Sequence, residues 1–166
     1  GLVCLAVGSS TGGFTDCLLQ RGATKVFAVD VGVAQLHAKL LADRRVIAHE
    51  GTNAREITAE FLGGPVDLVV VDASFIGLGK LMEAIARCTK PGGALVALVK
   101  PQFEAGRDAV TKGRGVIRDE AVRTAAIERA VASVKEAGYT IVATTDCVLP
   151  GPKGNVEAFV HATRLL

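Results

Sequence analysis

The 166 residues suit a single domain, and a net charge of +2 provides no bulk electrostatic argument for a nucleic-acid partner. Apolar residues make up 49% of the chain, aromatic residues only 4%, and tryptophan is absent, so the core must be aliphatic, which suits a buried parallel sheet flanked by helices. No apolar stretch approaches the roughly 18 residues of a membrane span, and we therefore expect no membrane partner.

The first half of the chain alternates short apolar runs with helix-like segments. Strands are predicted over residues 2–7, 25–30, 45–49 and 67–71, and helices over residues 14–21, 33–41, 55–62 and 79–88. Ser10 or Thr11 is placed to cap the first helix, and Gly22 is placed to end it. Alternation at this spacing indicates βαβ units and a parallel sheet.

The second half departs from this alternation. A strand is predicted over residues 94–99, a long loop over 101–118, a helix over 119–137, and strands over 139–148 and 156–165. The last two strands have no helix between them and are most simply antiparallel. We therefore predict an α/β fold: a doubly wound, mostly parallel seven-stranded sheet with one antiparallel strand. This Rossmann-like layout is typical of class I methyltransferases, although a shared layout does not establish a function.

The cysteines and the start of the chain indicate the cellular setting. Cys4, Cys17, Cys88 and Cys147 are widely spaced and form no C-x-x-C pair, and the three histidines are equally dispersed. This spacing favours small buried cysteines, a reducing cytoplasmic compartment and no bound metal. The chain opens on Gly1 and goes almost at once into a strand, so we expect an N-terminal portion to be missing. No pattern indicates an oligomeric state.

Polar residues follow the predicted strands at the points where a ligand would bind. A glycine-rich loop over residues 8–13 follows the first strand, Asp30 ends the second, Asp72 follows the fourth, and Lys100 follows the fifth. Glu157 lies near the start of the last strand, which reaches the same edge because it runs antiparallel. In open parallel sheets this carboxyl edge is where ligands bind.

Each of these residues also has a purely structural interpretation. The glycine loop can be only a tight turn, Asp30 a helix cap, Asp72 a turn residue, Lys100 a solvated lysine, and Glu157 an outward residue of a strand. Their joint placement at one edge favours a site. The loop spacing G-x-x-x-G-G lacks the G-x-G-x-x-G pattern, which argues against a nicotinamide dehydrogenase. An acid at the end of the second strand is suited to binding ribose hydroxyls.

The 101–118 segment is basic. It carries Arg107, Lys112, Arg114 and Arg118. The segment is either a solvated surface loop or a lip that contacts phosphate groups beside the site.

Several segments together resemble the TlyA family, the hemolysin-named, FtsJ-like ribosomal RNA 2′-O-methyltransferases. They are VGSSTGGFTD at 7–16, AVDVG at 28–32, TNAR at 52–55, DASFI at 72–76, VKPQFEAG at 99–106 and GPKGNVE at 151–157. The resemblance runs over nearly the whole chain, and its KPQFE and GNVE segments are the most specific. It implies S-adenosylmethionine as cofactor and ribosomal RNA or a ribosomal subunit as partner.

The resemblance also implies site residues. Of a Lys-Asp-Lys-Glu catalytic set, Asp72, Lys100 and Glu157 map onto this chain, and the first lysine would precede Gly1, as would a small RNA-binding module. The implied cofactor contacts are Gly8, Ser9, Ser10, Thr11, Gly12, Gly13, Phe14, Asp30, Asn53 and Asp72. One departure is Ala6, where the family usually has an acid. With these roles, Lys100 is the base that accepts the proton of a ribose 2′-hydroxyl, and Asp72 and Glu157 orient it.

Two other functions remain open at this point. One is a non-catalytic RNA-binding or cofactor-binding relic of the same family, in keeping with Ala6 and the missing first lysine. The other is a membrane-active hemolysin, as the family's second name suggests. That function would require an apolar span or an exposed, strongly amphipathic helix.

Overall fold

A computed structural model describes residues 1–151 and 153–166. One sheet of seven strands has the order β3-β2-β1-β4-β5-β7-β6. The strands are β1 (Val3–Val7), β2 (Lys25–Val29), β3 (Val46–His49), β4 (Val66–Val71), β5 (Thr89–Val99), β6 (Tyr139–Asp146) and β7 (Ala158–Arg164). Strand β7 pairs antiparallel with β5 and β6, and the other pairs are parallel. The predicted fold, with its one antiparallel strand, is confirmed.

Helices cover both faces of the sheet. They are α1 (Gly13–Gln20), α2 (Ala38–Leu41), α3 (Gly79–Cys88), α4 (Pro101–Glu104), α5 (Arg107–Lys112) and α6 (Glu120–Glu136). Leu5 and Val69 point to the face covered by α3 and α6, whereas Cys4 and Ala6 point to the face covered by α1 and α2. Both faces are therefore buried, as expected for a largely parallel sheet.

Two predicted helices in the first half are wrong in extent or in kind. Residues 33–37 are not helical, because the Glu50 carboxylate accepts the backbone N–H groups of Gln35 and Leu36 and holds that segment as a loop. Residues 55–62 form turns instead of a helix. There the Asn53 and Thr58 side chains accept backbone N–H groups that a helix would use.

The start of α1 and the 101–118 segment also differ from prediction. Neither Ser10 nor Thr11 caps helix α1: its N-cap residue is Gly12, which has no side chain to accept a backbone N–H. The predicted loop over 101–118 contains the short helices α4 and α5, which pack through Ala105 against Ala126 of α6. Helix α6 is capped by Asp119, whose carboxylate accepts two backbone N–H groups of its first turn.

The cysteines divide into two kinds. Cys4 and Cys88 are buried, and burial raises the pKa of each thiol to about 11. Cys147 is half-buried and Cys17 is exposed, so the expectation of a buried thiol is wrong for Cys17. Position 17 lies on the solvent side of α1, whose buried residues are Thr15, Leu18 and Leu19.

Where the chain leaves β1, it passes unusually close to the end of β4. Gly8 has φ +77°, and a Cβ atom there would lie 2.3 Å from the backbone oxygen of Asp72. The backbone N–H of Asp72 in turn donates to the carbonyl of Val7 at 2.9 Å. Only a residue without a side chain allows this approach.

A buried hydrogen-bond chain ties the far end of the sheet to α3. The hydroxyl of Tyr139 donates to Thr89 Oγ1 at 2.8 Å, and Thr89 donates to the carbonyl of Ile85 at 2.6 Å. Burial raises the pKa of Tyr139 above its ordinary value, and this effect outweighs the Thr89 hydrogen bond.

We predict that Gly8→Ala destabilises the protein more than Gly22→Ala. Gly22 has φ +88° with nothing within 4 Å of its Cβ position, so alanine there adds backbone strain alone, about 1–2 kcal/mol. At Gly8 the contact with Asp72 adds overpacking of about 1–3 kcal/mol to similar strain. Urea unfolding of both variants measures the difference, and equal losses would contradict the close approach.

We predict that Tyr139→Phe costs about 0.5–1.5 kcal/mol at neutral pH, because a buried hydrogen bond is lost. An unfolded tyrosine ionises near pH 10, and in the folded protein the pKa is higher. The unfolded state therefore loses its proton first, and wild-type stability falls as the pH rises through this interval. The phenylalanine variant lacks this loss, so the gap between the two proteins should narrow above about pH 10. Unfolding free energies measured across that range test the sign, and a widening gap would refute it.

Candidate active site

A cavity of about 510 Å³ lies at the carboxyl edge of the sheet. Its size is within the range of small-molecule sites. The predicted site residues that line it are Gly8, Ser10, Asp30, Asn53 and Asp72. Loops after β1, β2, β3 and β4 therefore meet at one cavity, at the position where ligands bind to open α/β sheets.

Asp30 organises one wall of this cavity. Its Oδ2 accepts the backbone N–H of Ser10 at 2.7 Å, and its Oδ1 accepts the backbone N–H of Gly32 at 2.8 Å. Asp30 thus holds the glycine loop in place, which is its structural role. A carboxylate oxygen can accept more than one hydrogen bond, so both oxygens can still accept from a ligand hydroxyl.

The other loop residues implied as cofactor contacts lie outside the cavity lining. They are Ser9, Thr11, Gly12, Gly13 and Phe14. Ser9 is buried, Gly12 packs against Leu40, and the Phe14 ring meets Phe159 edge-on at 6.3 Å. Their assignment as direct cofactor contacts stays a prediction.

Ala6 lies within β1 and not at the cavity. It is 2% exposed and packs on the α1 side of the sheet among Ala28 and Val70. The residue at the position where the related family usually has an acid therefore serves the core here. Among the described residues that line the cavity, the acids are Asp30 and Asp72.

Lys100 and Asp72 form an ion pair beside the cavity. The Lys100 ammonium lies 2.6 Å from Asp72 Oδ1 and donates a hydrogen bond to Ser74 Oγ at 2.9 Å. No donor among the described residues meets that Asp72 oxygen at a hydrogen-bonding angle, so the contact with Lys100 is an ion pair rather than an aligned hydrogen bond. The Lys100 side chain is only 13% exposed. Its nitrogen is thus held between the residues that follow β4 and the end of β5, and most of the side chain is covered.

Glu157 lies immediately before β7 and reaches the same region through Gln102. It is 5% exposed, and Gln102 Nε2 donates to its Oε1 at 3.2 Å. Gln102 lies two residues after Lys100, on α4. The three predicted catalytic residues are therefore brought to one end of the sheet by β4, β5 and β7, as the strand directions predicted.

The backbone around Glu157 is held by two buried polar residues that sequence reasoning did not identify as part of the site. Arg123 of α6 donates to the carbonyl of Val156 at 2.9 Å and pairs with Asp146. Asn155 accepts the N–H of Ile117 at 2.9 Å. In the sequence, the only indication that either residue belongs to the site is that Asn155 lies inside the GNVE segment.

Phe75 is a further residue that the sequence did not mark. It is 90% exposed at the cavity rim, and its φ of +64° is in the left-handed region, which is strained for a bulky residue. Its ring lies 5.1 Å from that of Phe103. The loop that carries Phe75 is anchored by a hydrogen bond from the N–H of Leu78 to the Glu104 carboxylate at 2.6 Å. Burial raises the pKa of Glu104.

Two kinds of site are not found in the part of the chain that the structure describes. No three His, Cys, Asp or Glu side chains lie close enough together to hold a metal ion. Across residues 1–151 and 153–166, no helix has the length and apolar character needed to cross a membrane.

Comparison with known proteins places this geometry in context. The chain is 46% identical over 160 residues to a 16S/23S rRNA (cytidine-2′-O)-methyltransferase TlyA of Mycobacterium tuberculosis, covering 96% of this chain and 59% of that protein. A solved structure from Streptococcus thermophilus that carries a hemolysin name superimposes with a TM-score of 0.94 at 38% identity, covering 99% of this chain and 59% of the other. This chain thus spans about three fifths of the length of both.

A more distant structure shows how widely the fold is shared. An S-adenosylmethionine-dependent methyltransferase of Methanosarcina mazei has a TM-score of 0.70 at 14% identity, covering 99% of this chain and 93% of that one. At this identity the likeness concerns the fold alone. The model of the FtsJ-like methyltransferase family matches residues 1–164, nearly the whole chain. The chain therefore belongs to the FtsJ-like methyltransferase family, and the resemblance to TlyA proteins predicted from its motifs is confirmed.

Proposed function

We propose that this chain is the catalytic domain of an S-adenosylmethionine-dependent enzyme that methylates a ribose 2′-hydroxyl of ribosomal RNA in the cytoplasm. The observation that carries the proposal is the shielded Lys100–Asp72 pair at the rim of a cavity built by the glycine loop and Asp30. The family and the named activity of the Mycobacterium tuberculosis relative support it.

The cavity residues fit the cofactor's chemical groups. Asp30 and Asn53 both line the cavity; Asp30 would accept the ribose hydroxyls, and Asn53, on the neighbouring loop, would contact the base. Gly8 allows the glycine loop to lie directly against Asp72, and both residues line the cavity. When bound, S-adenosylmethionine supplies a methyl group on a positively charged sulfur. The absence of a diphosphate in this cofactor agrees with a glycine loop that lacks the dinucleotide spacing.

The three catalytic residues divide the work of activating the hydroxyl. With the cofactor bound, attack of the ribose oxygen on the methyl carbon would break the methyl–sulfur bond. Lys100, once its ammonium has released a proton, would accept the hydroxyl proton on Nζ. Asp72 and Ser74 hold that nitrogen in one position. Glu157, buried and held by Gln102, orients the substrate side of the site. Much of the rate must come from this positioning, because the hydroxyl is a weak nucleophile.

Phe75 provides a platform for the target nucleotide. An exposed aromatic ring in a strained backbone conformation is costly, and such strain is kept where surrounding contacts and function require it. Bases unstacked from RNA bind on aromatic side chains, and the Phe75 ring stands at the rim of the cavity. The ring thus offers a surface on which the base of the methylated nucleotide can stack.

Three measurements separate this function from the other candidates. Calorimetry with S-adenosylmethionine and with NAD distinguishes a methyltransferase from a dehydrogenase. Transfer of labelled methyl groups to ribosomal subunits by the full-length protein distinguishes an enzyme from a non-catalytic relic. Lysis of erythrocytes without methyl transfer would instead favour the hemolysin interpretation. Binding of S-adenosylmethionine with methyl transfer to a 2′-hydroxyl is the result we expect.

We predict that Lys100→Ala and Asp30→Ala separate catalysis from cofactor binding. Lys100→Ala should lower kcat by about 100- to 10,000-fold, because the proton acceptor is lost, with little change in cofactor affinity. Asp30→Ala should raise the Kd for S-adenosylmethionine by about 10- to 100-fold, because charged hydrogen bonds are lost. Lys80, exposed on α3, is the matched lysine control and should tolerate alanine. Near-normal turnover by Lys100→Ala would contradict the assigned base.

We predict that Phe75→Gly lowers kcat/KM for ribosomal subunits by roughly 5- to 150-fold, because base stacking worth about 1–3 kcal/mol is lost. The unfolding free energy should stay equal or rise by up to about 1 kcal/mol, because glycine relieves the strain at φ +64°. Phe75→Tyr keeps the ring and should retain activity. An unchanged kcat/KM in the glycine variant would show that the ring does not contact the substrate.

A further inference from the structure

A group of exposed basic side chains lies beside the active site. This basic surface consists of Arg107, Lys112, Arg114, Arg118 and Lys153. Among the described residues, none of the five forms an ion pair with an acid. The only acid within residues 105–118 and 151–156 is Asp108.

The charge of the molecule is strongly segregated onto this surface. The basic surface and Asp108 together carry a net charge of +4, whereas the whole chain carries +2, so the remaining residues sum to −2. The next acid along the chain, Asp119, is occupied in capping α6. A local field of one sign on a nearly neutral protein attracts a polyanion to that place and not elsewhere.

Buried contacts fix this surface relative to Glu157. Asn155, which is 3% exposed, accepts the N–H of Ile117 and donates to the carbonyl of Gly115, both at 2.9 Å. A Cβ on Gly115 would lie 3.3 Å from the ammonium nitrogen of Lys153, so Lys153 lies against the segment that carries the other four basic residues. Since Asn155 is two residues from Glu157, the basic surface and the catalytic glutamate are parts of one packed unit.

The surface also contains a cavity that is separate from the cofactor cavity. It measures about 290 Å³, and its apolar lining includes Ala109, Val116 and Val122. Lys112 and Arg118 are the basic residues of its lining. An apolar hollow next to cationic side chains is suited to an unstacked base whose phosphates contact the basic groups.

We propose that the basic surface binds the RNA backbone next to the methylated nucleotide and thereby presents that nucleotide to Lys100 and Glu157. This inference rests on the proposed function and adds the part of the chain that holds the RNA. Phosphate contacts by arginine and lysine position a nucleic acid without reading its sequence. They also release counterions, so binding through them weakens as salt increases.

The test compares two triple variants of the full-length protein. Arg107→Gln, Lys112→Gln and Arg114→Gln together remove three charges from the basic surface. The control variant removes three charges at the opposite edge of the sheet, from Arg21, Arg44 and Lys135. These residues are exposed and form no ion pair among the described residues. Binding to ribosomal subunits is measured over a range of salt concentrations without a methyl donor.

We expect the slope of log K against log salt to become shallower by about 2 to 3 for the basic-surface variant, at 0.7–0.9 per lost phosphate contact, and to stay unchanged for the control. At saturating subunits kcat should be retained, while KM for the subunits rises. An unchanged slope, or an equal change in both variants, would overturn the proposal.

The same comparison on protein-free ribosomal RNA identifies the partner. A slope difference that persists there supports an RNA backbone, whereas one seen only with intact subunits would mean that the surface contacts a ribosomal protein, which overturns the proposal. The binding assay contains no methyl donor. A wild-type protein that transfers no methyl group would therefore refute the proposed function without deciding the role of the basic surface.

Discussion

The contact between Gly8 and the end of β4 is the constraint on which the rest of the site depends. A Cβ atom on residue 8 would lie 2.3 Å from the carbonyl oxygen of Asp72. Because Gly8 has no Cβ, the chain leaving β1 can pass directly over the end of β4. That passage places the glycine loop and Asp72 together in the lining of one cavity. Asp30 then secures the loop through the Ser10 N–H. The proposed cofactor, held by the first loop, would thereby lie next to the proposed catalytic groups that follow the fourth and fifth strands.

Backbone strain is concentrated in the loops around this edge. Among the described residues, the non-glycine residues with positive φ are Ser10, Ala34, Phe75 and Arg114. They belong respectively to the glycine loop, the loop after β2, the loop after β4 and the basic segment. Such conformations cost free energy and persist where surrounding contacts impose them, as the Asp30 hydrogen bond does at Ser10. Their positions agree with a site assembled from rigid loops on a stable sheet.

The buried residues Arg123 and Asn155 hold the backbone in place on the other side of the site. A buried guanidinium needs partners, and Arg123 has Asp146, Glu120 and the Val156 carbonyl. These contacts fix the approach to β7, so Glu157 enters the site from a defined direction. The antiparallel course of β7 is what brings this residue to the same edge as Asp72 and Lys100. The proposed RNA-binding surface shares these contacts and is positioned by them.

The sequence by itself determined the sheet, its reversed last strand and the edge at which the polar residues gather. These features follow from local patterns: apolar periodicity, glycine turns and the residue types that follow each strand. The motifs also determined the family. The prediction of α3 was correct to the residue, at Gly79–Cys88, because its buried apolar residues recur at helical spacing.

Only the tertiary structure decided how the loops are built and which side chains support the proposed catalytic residues. Residues 33–37 stay out of a helix because Glu50, distant in sequence, takes their N–H groups. Asn155 contacts a segment 38 and 40 residues away. Local periodicity contains no information about such partners, since they meet only after the sheet has formed. For the same physical reason the strained, exposed ring of Phe75 became recognisable as part of the site only in the folded chain.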